Sequence, residues 1–173
     1  MNPALPVPNS WFILAGSVFM IGFWCVLVAI ISKVGGWYQL SKLYPAEETT
    51  YRMADESTNK SFRWASLVMG PPYFPTNYGN CLSVVVSAQG IRVAVGLLFR
   101  TLHPPLFIPW SAVRNCTLDR TLAIFTRATV EITGVAHPLQ FYGNCAREID
   151  RVWIARIAPA QTAARASNVA RNG

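Results

Sequence analysis

The sequence has few of the residues that catalysis and metal binding require. Among 173 residues there are two histidines, and eight Asp plus Glu stand against 15 Lys plus Arg, for a net charge of +7. No Cys-x-x-Cys pair occurs, and no Gly-rich phosphate loop follows a strand. We therefore expect no enzymatic activity, no metal and no cofactor. An enzyme that uses Cys81 or Cys145 together with His103 is kept as the second alternative to a non-enzymatic scaffold role.

Cysteines and basic residues also lack the patterns that would define a site. Cys25 lies in a long apolar run, which leaves the odd set of Cys81, Cys116 and Cys145 and suits a reducing cytoplasm. The arginines are scattered and form no run of five. Scattered charges favour an ordinary solvated surface, and a patch that faces anionic lipid headgroups is a further hypothesis. The positive net charge matches such headgroups better than nucleic acid, and no nucleic-acid partner is expected.

The most informative segment is the apolar run from Trp11 to Ser32, which contains no Asp, Glu, Lys, Arg or His. At about 1.5 Å per residue it is long enough to cross a hydrocarbon core of about 30 Å. A cleavable signal peptide would have a basic start, a shorter apolar core and a small-residue cleavage site, and none of these is present. The run predicts a retained transmembrane helix over residues 11–32.

Basic residues follow this helix and none precedes it, which predicts an extracytoplasmic leader over residues 1–10 and a cytoplasmic C-terminal domain at the inner membrane. Residues 33–60 read as a short interfacial helix and a polar linker. Packing of that helix onto the following domain is an equal alternative. The residues expected to anchor the chain at the two interfaces are aromatic or basic: Trp11, Lys33, Trp37, Tyr38 and Lys42.

Because the apolar run lacks histidine, it cannot ligate a haem or chlorophyll through an imidazole. Contact of the helix with pigment or lipid remains open. The expected partners are the bilayer and one or more integral membrane proteins.

Beyond residue 60 the pattern is typical of short strands separated by turns. Eight strands are predicted: Phe62–Met69, Leu82–Ser87, Ile91–Phe99, Leu106–Ile108, Val113–Leu118, Leu122–Arg127, Thr129–Thr133 and Leu139–Tyr142. Asp119-Arg120 is expected to form a turn. So many short strands indicate an antiparallel sandwich or partly open barrel.

A helix is predicted after the last strand, with Asn144 as its cap and Cys145–Ala158 as its body. Its apolar face needs a cover, and Trp153 is the candidate plug for the core. Residues 159–173 contain too few large apolar groups to fold alone, so a flexible tail is expected.

About seven strands and a closing helix resemble the pleckstrin-homology (PH) superfold, and residues 61–158 are similar to bacterial PH-like and GRAM-like domains. The segment GIRVAVGLLFRTLHPPLFIPWSAV, together with GGWYQLSKLYP, also resembles a group of uncharacterised bacterial single-pass membrane proteins. The resemblance implies a transmembrane helix followed by a mainly β, PH-like small barrel capped by a C-terminal helix. It implies no activity, and the segment between Met69 and Leu82 lacks a basic phosphoinositide-binding loop.

The sequence therefore favours a membrane-anchored scaffold, an accessory or stabilising subunit of a larger respiratory, photosynthetic or envelope complex. A stand-alone lipid- or peptide-binding protein is the first alternative. Two aromatic, proline-rich segments, PPYFPTN and HPPLFIPW, are candidates for docking on a partner. The alternative is that their aromatics simply fill the core. The candidate docking residues in them are Tyr73, Phe74, Leu106, Phe107 and Trp110.

Overall fold

The structure is a computed structural model, and it describes residues 10–46, 59–96, 99–100, 102–121 and 125–156. Several predictions made from the sequence lie outside the described residues: nearly all of the leader, most of the linker, the last residues of the C-terminal helix and the whole tail.

The chain begins with two helices that meet at a glycine pair. Helix α1 (Ser10–Val34) is 25 residues long and apolar, which confirms the predicted long helix. Gly36 lies in the left-handed region, with φ of 84°, so the chain can turn sharply there. Helix α2 (Trp37–Leu43) follows at once. Because of this turn, α2 packs against the β sheet formed by the rest of the chain.

Seven antiparallel strands form one curled half-barrel sheet in the order β4-β3-β2-β1-β7-β6-β5. They are β1 (Lys60–Met69), β2 (Thr76–Val86), β3 (Gly90–Val95), β4 (Leu106–Pro109), β5 (Val113–Thr121), β6 (Phe125–Ile132) and β7 (Leu139–Tyr142). Side chains alternate along most strands, and those on one face are buried. The core therefore lies on the inner side of the curl.

Several predicted strand boundaries are wrong, including the start of β2, which begins at Thr76 and not at Leu82. Strand β6 runs unbroken where two strands had been predicted, so the described sheet has seven strands and not eight. Asp119 and Arg120 belong to β5, where they pair with Arg127 and Thr126 across the ladder. A salt bridge of 2.8 Å between Asp119 and Arg127 adds an attractive pair to this register.

Strand β1 contains a bulge at Trp64, where the register to β2 shifts. The bulge changes which residues face inward. Phe62, at an even position, packs against the core, and beyond the bulge Ala65 and Leu67 are the buried positions.

Residues 144–156 form a third helix, α3, which begins directly after β7. Asn144, predicted as the cap, is already the first helical residue. Cys145, Ala146 and Ile149 are at most 2% exposed and belong to the core cluster of the sheet. The helix therefore closes the half-barrel, as the sequence predicted.

Candidate functional site

The surface of α1 is apolar and almost fully exposed. Residues Trp11–Val34 make a helix long and apolar enough to cross a membrane, and only 6% of its most apolar window is buried. Trp11 is 77% exposed and Phe12 70%. An exposed apolar surface of this extent marks contact with lipid or with another protein.

One face of α1, near its C-terminal end, is covered by the chain that follows β3. Trp24, Val28 and Ser32 recur every four residues and so share this face. Val28 and Ser32 are buried. The Ser32 hydroxyl donates a hydrogen bond of 2.9 Å to the carbonyl oxygen of Leu102, and the Trp24 ring lies 5.5 Å from the ring of Phe99. The helix and the β domain are thus joined by specific contacts and not by a loose tether.

Helix α2 packs into the sheet through Trp37 and Leu40, which are completely or almost completely buried. The Trp37 indole N–H donates a hydrogen bond of 2.9 Å to the Pro104 carbonyl oxygen. Its ring lies 5.1 Å from Tyr78 and 5.3 Å from His103. The prediction of Trp37 as an interfacial anchor is therefore corrected, because a core tryptophan cannot reach lipid headgroups. Trp37 instead follows the alternative prediction, in which α2 packs onto the β domain.

The other four predicted anchors are exposed: Trp11, Lys33, Tyr38 and Lys42. The Lys42 ammonium lies 4.4 Å from the centre of the Tyr38 ring, a cation–π arrangement. These side chains are free to meet headgroups, although their anchoring role stays a prediction.

His103 is a buried polar group beside Trp37, with 1% exposure. Its Nε2 lies 3.2 Å from the Tyr78 hydroxyl, and its Nδ1 has no hydrogen-bond partner among the described residues. Burial lowers the pKa of His103, and burial raises that of Tyr78. Both groups are therefore neutral near pH 7 and pack as ring-shaped core side chains beneath Trp37.

The five predicted docking residues separate into three groups by exposure. Tyr73 and Phe74, in the loop between β1 and β2, are 88% and 54% exposed. Phe107 is half-buried. Leu106 and Trp110 are core residues, and the Trp110 indole N–H donates a hydrogen bond of 2.9 Å to the Ser87 carbonyl oxygen. The docking prediction is therefore wrong for these two, because their side chains face inward.

Trp153, the predicted plug, is only half-buried and packs against the core, with its ring 6.4 Å from that of Trp110. The deepest large side chain of α3 is Ile149, which is completely buried. Glu148, beside it, receives hydrogen bonds from Lys60 and Arg151. Those partners hold the pKa of the Glu148 carboxyl below its usual value, with Arg151 the larger influence.

The two cysteines closest to the core are poor nucleophiles. Burial raises the pKa of Cys116 to about 12 and that of Cys145 to about 11. Burial also raises the pKa of Cys81. Because the thiolate is the reactive form, all three stay protonated and unreactive at neutral pH. Within the described residues no group of three metal-ligating side chains occurs.

A surface feature that the sequence reasoning missed is Trp64, at the β1 bulge. This bulky residue has a φ of 61° and is 75% exposed. Two clefts, of about 360 Å³ and about 530 Å³, lie on either side of it, and both include Arg63 in their walls. Strict alternation along β1 from Leu67 already places Trp64 on the solvent face, which was the available signal.

The first cleft opens where β1 and β7 separate, because their pairing covers only Ser66–Val68 and Gln140–Tyr142. Asn80 of β2, which also has a positive φ, is hydrogen-bonded to Ser66 of the neighbouring strand β1. Its backbone N–H donates to the Ser66 hydroxyl over 3.1 Å. The bulge is thereby held in place. A strained backbone beside a cleft is typical of a binding site.

Comparison with known proteins gives no matching family model and no matching curated protein.

Proposed function

We propose that this chain is a non-enzymatic, single-pass membrane protein whose β domain is an interaction module, an accessory or stabilising subunit of a larger bacterial membrane complex. The observation that carries the proposal is the exposed apolar α1 joined directly to the folded domain at Ser32 and Trp24. A helix with this surface belongs in lipid or against other transmembrane helices, and the junction holds the domain close to that environment.

The strand order and the closing helix support a PH-like identity for residues 61–158. Consecutive strands β1 to β4 and β5 to β7 are neighbours in the sheet, β1 pairs with β7, and α3 follows β7. This is the arrangement expected from the resemblance noted in the sequence. A shared fold does not carry a shared activity, so the proposed role rests on the exposed surfaces.

We place the protein in the inner membrane, with its N-terminus outside and the β domain in the cytoplasm. The positions of Lys33 and Lys42 after α1 support this orientation. Three free cysteines in the β domain suit a reducing compartment. The loop carrying Tyr73 and Phe74 lies beside the helix junction, since Gly70 approaches Gly35. It is thus positioned to meet a neighbouring membrane protein.

The test is extraction of native membranes in mild detergents, separation by native size and mass spectrometry of the proteins that migrate with the chain. We expect co-migration with one large complex at fixed stoichiometry. Reproducible migration as a lone monomer or homo-oligomer would contradict the accessory-subunit role. Replacement of Tyr73 and Phe74 by Ala should release the chain from the complex without changing its melting temperature.

A matched control is Trp64→Ala, which removes an equally exposed aromatic from a different surface. If the Trp64 variant releases the chain and the Tyr73/Phe74 variant does not, the docking surface is at the β1 bulge.

The clefts beside Trp64 favour a second candidate function, a stand-alone lipid- or peptide-binding protein. An exposed aromatic ring next to Arg63 provides an apolar face and a positive charge, which together suit an anionic ligand with apolar groups. This candidate predicts that the isolated full-length protein in nanodiscs binds such a ligand and that Trp64→Ala weakens the binding. Unaltered binding in that variant would exclude the cleft.

A further inference from the structure

The contacts between α1 and the segment after β3 set the depth of that segment in a membrane. This inference rests on the proposed membrane anchor. Phe99 contacts Trp24, and Trp24 lies ten residues before the end of α1 at Val34. Ten residues correspond to about 15 Å along a helix axis. The segment therefore follows α1 for about half the thickness of a hydrocarbon core, which is about 30 Å.

The helix is too short to keep these contacts in water. If the α1 turns from Trp24 onward stood outside the membrane, the 14 residues Ser10–Phe23 would have to span it. They reach about 21 Å, which is well short of about 30 Å. A bilayer of normal thickness must then include Trp24, and with it the Phe99 ring that packs against Trp24.

Several backbone groups of the described residues in this segment are hydrogen-bonded within the protein. The Phe99 N–H donates to the Gly96 carbonyl oxygen over 3.0 Å, and the Leu102 and His103 N–H groups each donate three residues back over 3.3 Å. The Leu102 carbonyl oxygen accepts the Ser32 hydroxyl. Non-helical backbone is tolerated at membrane depth where it packs against protein, as the described residues of this segment do against α1.

The side chains agree with a position at the boundary between acyl chains and headgroups. Phe99 and Leu102 are half-buried against the protein and leave part of their apolar surface uncovered. Arg100 is exposed between them, and a long basic side chain can extend its guanidinium to phosphate groups while its stem stays among acyl chains.

We infer that the segment around Phe99, Arg100 and Leu102 is a second membrane-embedded element, which inserts beside α1 into the cytoplasmic leaflet and fixes the β domain against the lipid surface. The domain is thus held in one orientation, with the end that carries α2 toward the membrane. Its partner at this surface is the bilayer, with anionic headgroups contacting Arg100.

The experiment uses nitroxide labels on the full chain, reconstituted in vesicles of phosphatidylcholine and phosphatidylglycerol. Cys25 and Cys81 are replaced by Ala, while the buried Cys116 and Cys145 remain. Single labels are then placed by Arg100→Cys, by Ile21→Cys on the exposed side of α1 and by Thr117→Cys on the exposed part of β5. Each label's collision rates with oxygen, which concentrates in lipid, and with a water-soluble nickel chelate are measured. Unchanged melting temperatures establish that each labelled variant is folded.

We expect the oxygen-to-nickel ratio at position 100 to exceed that at position 117 several-fold and to stay below that at position 21, which lies deeper in the hydrocarbon core. A ratio at 100 equal to that at 117, with a high ratio at 21, would overturn the inference while leaving the anchor intact, and would mean that the bilayer thins around a shortened span. A low ratio at 21 would overturn the anchor and this inference together.

Discussion

The junction between α2 and the sheet makes Trp37 the residue whose replacement is most informative. Its side chain is completely buried, contacts Tyr78 and His103, and donates a hydrogen bond to the Pro104 carbonyl oxygen. Truncation of a buried tryptophan to alanine costs about 3–5 kcal/mol. The lost hydrogen bond to the Pro104 carbonyl oxygen accounts for about 1 kcal/mol of that cost. Trp37→Ala should therefore remove a large part of a small domain's stability.

The assay is thermal and denaturant unfolding of the full chain in detergent micelles, followed by circular dichroism of the β domain. For a domain of about 100 residues, 1 kcal/mol shifts the melting temperature by roughly 4 °C or more, so Trp37→Ala should lower it by at least about 12 °C. Trp37→Phe, which keeps most of the ring but loses the donor, should cost about 1–2 kcal/mol.

Tyr38→Ala is the matched control, because Tyr38 is the next residue of the same helix and is 44% exposed. A surface substitution of this kind should change stability by no more than about 0.5 kcal/mol. If Trp37→Ala is as mild as Tyr38→Ala, then α2 does not pack on the sheet, and the reasoning on Trp37 as a core residue is refuted.

Three further predictions concern other buried or strained positions. Burial lowers the pKa of His103, so below the ordinary histidine pKa of about 6.5 the unfolded chain takes up a proton that the folded chain does not. The free energy of unfolding should therefore decrease as the pH is lowered, by up to about 1.4 kcal/mol per pH unit. Melting temperatures from pH 8 to 5 should show this fall in wild type and His137→Gln but not in His103→Gln, and an equal fall in all three would refute it. Gly90→Ala should cost about 3 kcal/mol in urea unfolding because its Cβ would lie 2.3 Å from the Ile108 carbonyl oxygen, whereas Gly79→Ala meets nothing closer than 3.7 Å; equal costs would contradict the close approach of β3 and β4. Trp64→Gly should be at least as stable as wild type, since glycine accepts the positive φ, whereas Trp64→Val should lose about 1–2 kcal/mol; the reverse order in unfolding midpoints would show that the bulge is not strained.

The helices could be predicted from the sequence because their signals are local. The apolar run is too long for a strand and therefore indicates a helix. The apolar face of α3 that includes Ile149 recurs at helical spacing. Strand boundaries depended on partners elsewhere in the chain. Residues Thr76–Cys81 contain polar and glycine positions that indicated a loop, yet they pair with β1 and extend β2. Long-range pairing overrode local propensity there.

The position of Trp37 could not be decided from the sequence. A lipid interface and a protein core both accept an apolar ring, and both can satisfy one indole N–H, so the spacing of Trp37 and Leu40 fits either environment. The turn at Gly36 and the carbonyl oxygen of Pro104, far away in sequence, decide between them. The same limit applies to Leu106 and Trp110, because proline-rich segments predict an edge but not which side chains face inward.

The bulge at Trp64 illustrates a different limit. The outward position of Trp64 was missed although alternation from Leu67 would have given it. The register shift that turns Phe62 toward the core arises from pairing with β2 and has no local signature. The cleft at this position depends on that shift. Candidate sites formed by irregular pairing therefore need the three-dimensional structure.

The central claim is that α1 remains in the protein and holds the β domain at a membrane. The most direct measurement is an alkaline carbonate wash of native membranes followed by intact-mass analysis of the chain in the pellet and in the supernatant. We predict a membrane-bound chain whose mass includes Trp11–Val34. A chain released into the supernatant, or one whose mass shows that this helix has been removed, would contradict the account.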